Sequence, residues 1–180
     1  DRGPYGTYAM RSAADAKPGD EQCLSATNEE WVGSSLRDGR LFVKKNGARS
    51  PANAERPVSN RDPGSAYYLM TPHPGGKSTY VAISYPGSYH YLHKVTISND
   101  ETRIAYMKHI NTEVDEYRGA EIVIADFDAS IPAITNEVAF SPLDETRFSW
   151  YVSISPDNRH LIFAEDGKMM EFSIDTGVST

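Results

Sequence analysis

The chain has 180 residues, 39% of them hydrophobic and 11% aromatic, and carries 18 basic against 25 acidic side chains for a formal charge of -7. An acidic surplus excludes nucleic acid or an anionic membrane as the expected main partner, since both select basic surfaces, and the apolar content is too high for a disordered chain. The longest apolar run, Ala66 to Met70, is far short of a membrane span, and the single Cys23 has no partner for an intrachain disulfide.

Taken in chain order, residues 1–22 show turn chemistry without an apolar period and are expected to be poorly structured. No Met opens the chain, which is equally compatible with a removed signal peptide and with an excised piece of a longer polypeptide. Thr27-Asn28-Glu29-Glu30 has capping-box spacing and predicts a short helix through Trp31, Val32 and Leu36, ended by Asp38-Gly39. Arg40 to Lys44 reads as a strand closed by the Asn46-Gly47 turn signal. Residues 48–64 hold three prolines and few apolar residues, so a linker is expected there. Charge changes at the same place: residues 1–66 hold ten basic and nine acidic side chains, residues 67–180 eight and sixteen. The expected division is therefore a polar N-terminal region, 1–64, with a short helix and one hairpin or strand, and a β-rich region, 65–180.

From Ser65 onward the pattern is β throughout. Strands are predicted at 66–70, 79–84, 89–98, 103–108, 121–127, 150–155, 160–164 and 168–174, separated by turn residues with no helical period between them. An all-β fold follows, either a sandwich or a propeller. An internal repeat bears on the choice. Val95 to Tyr106 overlays Val152 to Phe163 at an offset of 57 residues without a gap. Each copy has alternating apolar residues, a Ser before an Asp-containing turn, and a second apolar strand. Glu121 to Asp128 then matches Lys168 to Asp175 at an offset of 47, so ten extra residues lie between Tyr106 and Glu121 of the first copy. In the second copy that connection is reduced to Glu165-Asp166-Gly167.

Ile154-Ser155-Pro156-Asp157-Asn158-Arg159-His160-Leu161-Ile162-Phe163, followed by Met169 to Gly177, resembles the TolB-like (WD-type) β-propeller repeat over about residues 89–177. The sequence departs from that pattern at Asn158, where the family usually has Gly, and at Asn99, where it usually has Pro. Both fit a turn, because Asn tolerates left-handed backbone angles. The resemblance implies blades of antiparallel strands, forming a partial ring or fragment at this length, and a periplasmic or extracellular setting. A β-sandwich remains the alternative. The fold carries no reaction of its own.

Several groups are candidates for chemistry. Gly76-Lys77-Ser78 lacks the glycine a phosphate loop needs at Thr71 and leads into a strand, so that reading is set aside. His90 and His93 are three apart, which on a strand sends them to opposite faces, so no metal site is expected. Glu113, Asp115, Glu116 and Tyr117 fall in the ten-residue insertion, where a loop can bind a partner, with Ca²⁺ at Asp115 and its neighbours as the one cofactor considered. His73 lies between two prolines in a loop and is a further binding candidate. For a polysaccharide lyase on the same scaffold, His90, Tyr89 and Arg103 are nominal catalytic picks. The leading expectation is a non-catalytic propeller module that binds a protein partner or the rest of a larger chain. A carbohydrate-active enzyme taking a polysaccharide, and the propeller part of a larger peptidase, are the alternatives.

Overall fold

The computed structural model describes residues 8–9, 22–23, 30–45, 66–73, 78–85, 91–109, 120–141 and 149–176, and all its regular elements are β-strands. Strands β1 (Tyr8–Ala9) and β2 (Gln22–Cys23) form a minimal antiparallel pair. Three larger antiparallel sheets follow, each built from strands that are consecutive in sequence. The first contains β3 (Glu30–Ser35), β4 (Leu41–Lys45), β5 (Ala66–Thr71) and β6 (Thr79–Ala82). The central sheet contains β7 (Tyr91–Ile97), β8 (Arg103–His109), β9 (Ala120–Asp128) and β10 (Ala133–Ser141). The third contains β11 (Ser149–Ile154), β12 (His160–Glu165) and β13 (Lys168–Ser173).

The sheets stack in sequence order through two separate cores. Ile104, Tyr106, Val123, Ala125, Phe127 and Ile134 of the central sheet pack with Phe42, Tyr67, Leu69 and Ile83 of the first. Ala105, Met107, Ile122 and Ile124 pack with Val152, Ile154, Leu161 and Phe163 of the third. Strand side chains alternate between faces, so the unbroken apolar runs Ile104 to Met107 and Ile122 to Ala125 mean a sheet covered on both sides. Burying each Ile, Leu, Met or Phe fully contributes about 1.5–3 kcal/mol, which makes the middle sheet the anchor of the molecule. Three stacked sheets set aside the two-layer sandwich: the chain is all-β, built of propeller-like blades.

The repeat seen in the sequence is the repeat of these blades. β7, β8 and β9 correspond to β11, β12 and β13 at the expected offsets. Asp166 and Gly167, both left-handed at φ 48 and 77°, close the short turn between β12 and β13, the conformation that twist-matched two-residue hairpins require. Each blade also has one bulge in its first strand, at Val32/Ser34, His93/Thr96 and Trp150/Val152. The left-handed residues of the last two bulges, Lys94 (φ 52°) and Tyr151 (φ 48°), lie 57 positions apart, and the Lys94 ammonium sits 4.9 Å from the centre of the Tyr151 ring.

Two expectations need correction. The helix predicted through Trp31, Val32 and Leu36 is instead strand β3, with Val32 opposite Val43, followed by a turn at Leu36–Arg40. A capping-box spacing contributes little against pairing along a whole strand of β-prone Trp and Val. Strand β10 was not anticipated, because its Asn136-Glu137 bulge interrupts the alternation and several of its side chains are exposed. In addition, β4 and β5, on either side of the division expected near residue 64, pair with each other in one sheet. The Asn46-Gly47 turn, the linker at 48–64 and the insertion at 110–119 lie outside the described residues.

Candidate functional site

The corners between the first and second strands of the three blades gather at one end of the stack. They span Leu36–Arg40, Ser98–Arg103 and Ser155–His160, and share one hydrogen-bond plan. The first residue's N–H donates to the carbonyl of the last at 2.8, 2.9 and 2.8 Å. Inside each corner the left-handed residue, Gly39, Glu101 or Asn158 (φ 86, 60 and 61°), donates its N–H back to the first residue's carbonyl. Asp38, Asp100 and Asp157 cap the corners from within. Asp100 accepts from the Ser98 hydroxyl at 2.6 Å and from Thr102 N–H at 3.2 Å, and Asp157 accepts from the Ser155 hydroxyl at 2.5 Å and from Arg159 N–H at 3.1 Å. Asp38 accepts from Arg40 N–H at 2.9 Å and from Arg40 Nε at 2.6 Å.

These bonds hold the charged carboxylates below their ordinary range. The main cause is the Arg40 backbone N–H for Asp38, the Ser98 hydroxyl for Asp100 and the Ser155 hydroxyl for Asp157. Asp128 is lowered in the same way by the Ser130 hydroxyl, then by the N–H groups of Ser130 and Ile131. Such carboxylates are structural acceptors. A general acid needs the opposite shift.

The corners are also tied to one another. Glu101 accepts the Arg37 N–H from the first corner, and Asn158 accepts the Asn99 N–H from the second at 2.9 Å, with Asn99 Nδ2 donating to the Pro156 carbonyl at 2.9 Å. The two backbone links are equivalent, corner to following corner. Each needs a residue other than proline to donate and one other than glycine, in the left-handed position, to accept. The departures from the repeat pattern at Asn99 and Asn158 supply these groups.

A second staple joins the first and central blades inside the core. Tyr67 Oη accepts the Leu92 N–H at 2.6 Å and donates to the Leu92 carbonyl at 3.0 Å, satisfying both backbone groups of an edge residue. Burial pushes this phenol well above its ordinary pKa. Away from the corners, the Tyr106 hydroxyl donates to Glu137, and Lys108 Nζ lies 3.2 Å from Glu137 and 3.7 Å from Glu121, pinning β8, β9 and β10 together.

A groove of about 370 Å³ lies on the central sheet's face toward the third sheet. Ile124, Val138, Phe140 and Ile174 form its apolar floor, and Arg103, Asp126 and Asn136 its polar end. Arg103 and Asp126 stand opposite each other on β8 and β9. Asp126 accepts from Asn136 Nδ2 at 2.7 Å, while Arg103 makes no ion pair among the described residues. Asn136 is left-handed (φ 51°) at the β10 bulge, which turns it toward Asp126.

Of the expected site residues, Arg103 lines this groove, and His73 is exposed just beyond β5 in the first sheet, so the two belong to different blades. Tyr89, His90, Glu113, Asp115, Glu116 and Tyr117 lie outside the described residues. Among the described residues no group of three His, Cys, Asp or Glu side chains could hold a metal ion, and no helix is long and apolar enough to cross a membrane. Sequence reasoning missed Asn136 and Glu137, whose only signal is a polar pair interrupting an apolar alternation.

These features define a set of consecutive propeller-like blades. No family model matches the chain, and no curated protein matches it. Its fold is similar to part of two solved structures. One is a puromycin hydrolase, with a TM-score of 0.58 and 12% identity over 96% of this chain and 26% of the other. The second is a puromycin-hydrolyzing peptidase of Mycobacterium tuberculosis, with a TM-score of 0.54 and 10% identity over 89% of this chain and 25% of the other. The chain thus spans about a quarter of the length of the structures it resembles.

Proposed function

We propose that these blades are a non-catalytic propeller module of a larger peptidase-type chain, in which they form a wall and binding surface for aminoacyl-amide or peptide substrates worked on elsewhere in the polypeptide. The observation that carries this reading is the stack of sequence-consecutive blades with two cores, similar to a quarter of two puromycin-cleaving proteins. The chemistry of the corners supports a scaffold role, since the aligned carboxylates are engaged in capping turns. The test has two parts. The native polypeptide, isolated from its source, is expected to weigh far more than 19.9 kDa and to release the amino acid from puromycin, whereas the 180-residue chain alone does not. A native mass equal to that of this chain, or a larger polypeptide with no hydrolysis of aminoacyl amides or peptides, overturns the proposal.

A further inference from the structure

We infer that the groove on the central sheet binds a free apolar α-amino acid, its carboxylate on Arg103, its ammonium on Asp126 and Asn136, and its side chain over Val138 and Phe140, whether or not the blades belong to a peptidase. In each blade a basic residue closes the corner and heads the second strand: Arg40, Arg103 or His160. Two of the three are engaged within the scaffold. Arg40 meets the Asp38 carboxylate at 2.6 Å and the Ala129 carbonyl at 2.8 Å, and His160 lies 3.7 Å from Asp157 and 3.8 Å from Glu171. The Arg103 guanidinium, by contrast, makes no hydrogen bond or ion pair among the described residues, although Asp126 stands directly opposite it in the β8–β9 ladder. A half-buried guanidinium offers five donors and no acceptor, in a fork whose geometry matches a carboxylate.

The complementary acceptors line the same end of the groove. Asn136 Nδ2 donates to Asp126 Oδ2 at 2.7 Å, which orients the amide and leaves Asp126 Oδ1 and Asn136 Oδ1 without a donor among the described residues. Two such oxygens on one cavity suit an ammonium, which has only donors. The sites for the two charges are adjacent, because Arg103 and Asp126 are one cross-strand pair. That spacing fits a carboxylate and an ammonium carried on a single carbon, as in a free amino acid; in a peptide the two are a residue or more apart. Beyond the charged end the lining is apolar. Val138 is 53% exposed and offers uncovered surface, while Phe140 is backed by the Phe172 ring at 4.1 Å between centres. Ile174 closes the side toward the third sheet. A volume of about 370 Å³ is at the small end of ligand pockets and suits one amino acid better than a polymer.

L-Leucine is the probe, titrated calorimetrically into the native polypeptide. We expect a Kd below about 1 mM, with L-leucinol, which lacks the carboxylate, and 4-methylpentanoate, which lacks the ammonium, each bound at least about tenfold more weakly. Arg103→Gln should weaken leucine about tenfold or more without weakening leucinol, and Asp126→Asn should do the same without weakening 4-methylpentanoate. Val138→Trp, at an exposed position, fills the groove and should remove binding of all three. Retained binding of the analogue that lacks the deleted contact shows that each charge variant is folded. A Kd for leucine above about 1 mM, or a preference below about tenfold over either analogue, overturns the inference. So does joint loss of leucine and leucinol in Arg103→Gln, which would mean that Arg103 holds the groove's shape and not the carboxylate. Leucine binding untouched by all three variants places the amino acid elsewhere in the polypeptide; it overturns the inference and leaves the propeller-module reading standing. Leucine binding as described, in a polypeptide that cleaves no aminoacyl amide, does the reverse.

Discussion

Replacing Tyr67 by Phe isolates the staple between the first and central blades. The ring is 3% exposed and keeps its neighbours in the variant, Phe42 at 5.9 Å and Tyr85 at 5.7 Å between centroids. What is lost is the oxygen that accepts the Leu92 N–H and donates to the Leu92 carbonyl. A buried backbone group left without a partner costs about 1–3 kcal/mol, and removing a buried hydroxyl returns part of its own desolvation cost, so a net destabilisation of about 2–3 kcal/mol is expected for the pair. With a urea m-value of roughly 2 kcal/mol/M, the midpoint falls by about 1 M at unchanged m. Urea unfolding followed by far-ultraviolet circular dichroism measures this directly. A midpoint shift below about 0.2 M would show that Leu92 does not depend on the phenol, and the account of how the two blades are joined would be wrong.

Acid should weaken the fold in a defined window. Asp38, Asp100, Asp128 and Asp157 all have folded pKa values below the ordinary carboxylate value; the unfolded chain then binds more protons as pH falls, so their stabilisation is complete above about pH 5 and is lost as pH drops through about 4 and below. Unfolding free energy measured against pH should show this loss, and Ser98→Ala combined with Ser155→Ala should flatten the slope; an unchanged slope refutes the assignment. At Asn158, Gly should change stability by less than about 1 kcal/mol, because relief of the left-handed backbone offsets the lost bond to Asn99, whereas Val should destabilise by about 1–2 kcal/mol. Equal behaviour of the two variants in urea unfolding would contradict the role given to that angle. Ile104→Ala and Met107→Ala, on opposite faces of the central sheet, should each cost about 2–5 kcal/mol, and a cost below 1 kcal/mol for either would mean that its core is not packed as described.

Much of this architecture was legible because strand pairing within a blade is local. Ser155-Pro156-Asp157 announced a corner, and the 57-residue offset placed β11 and β12 correctly from β7 and β8. Of the two Asn residues whose tolerance of left-handed angles fits a turn, Asn158 adopts one at φ 61° and Asn99 does not. What could not be read depends on contacts distant in sequence. Glu30–Ser35 carries a helix-start spacing, and only pairing with β4 makes it a strand. Glu101 has no turn propensity that marks it for a positive φ; its conformation makes sense only once the Arg37 N–H of the neighbouring blade is in place. The groove was likewise invisible, because Arg103, Phe140 and Ile174 are brought together by the packing of two sheets.

Because each of the three large sheets is made from consecutive strands and meets only its neighbours in the chain order, assembly of this protein requires no late threading of distant segments. Each hairpin joins neighbouring strands, though β4 and β5 pair across the longer segment 46–65, and each blade can dock on the one before it as soon as it has left the ribosome. The order of synthesis is then also the order of growth, with the doubly covered middle layer completed only when the third sheet arrives.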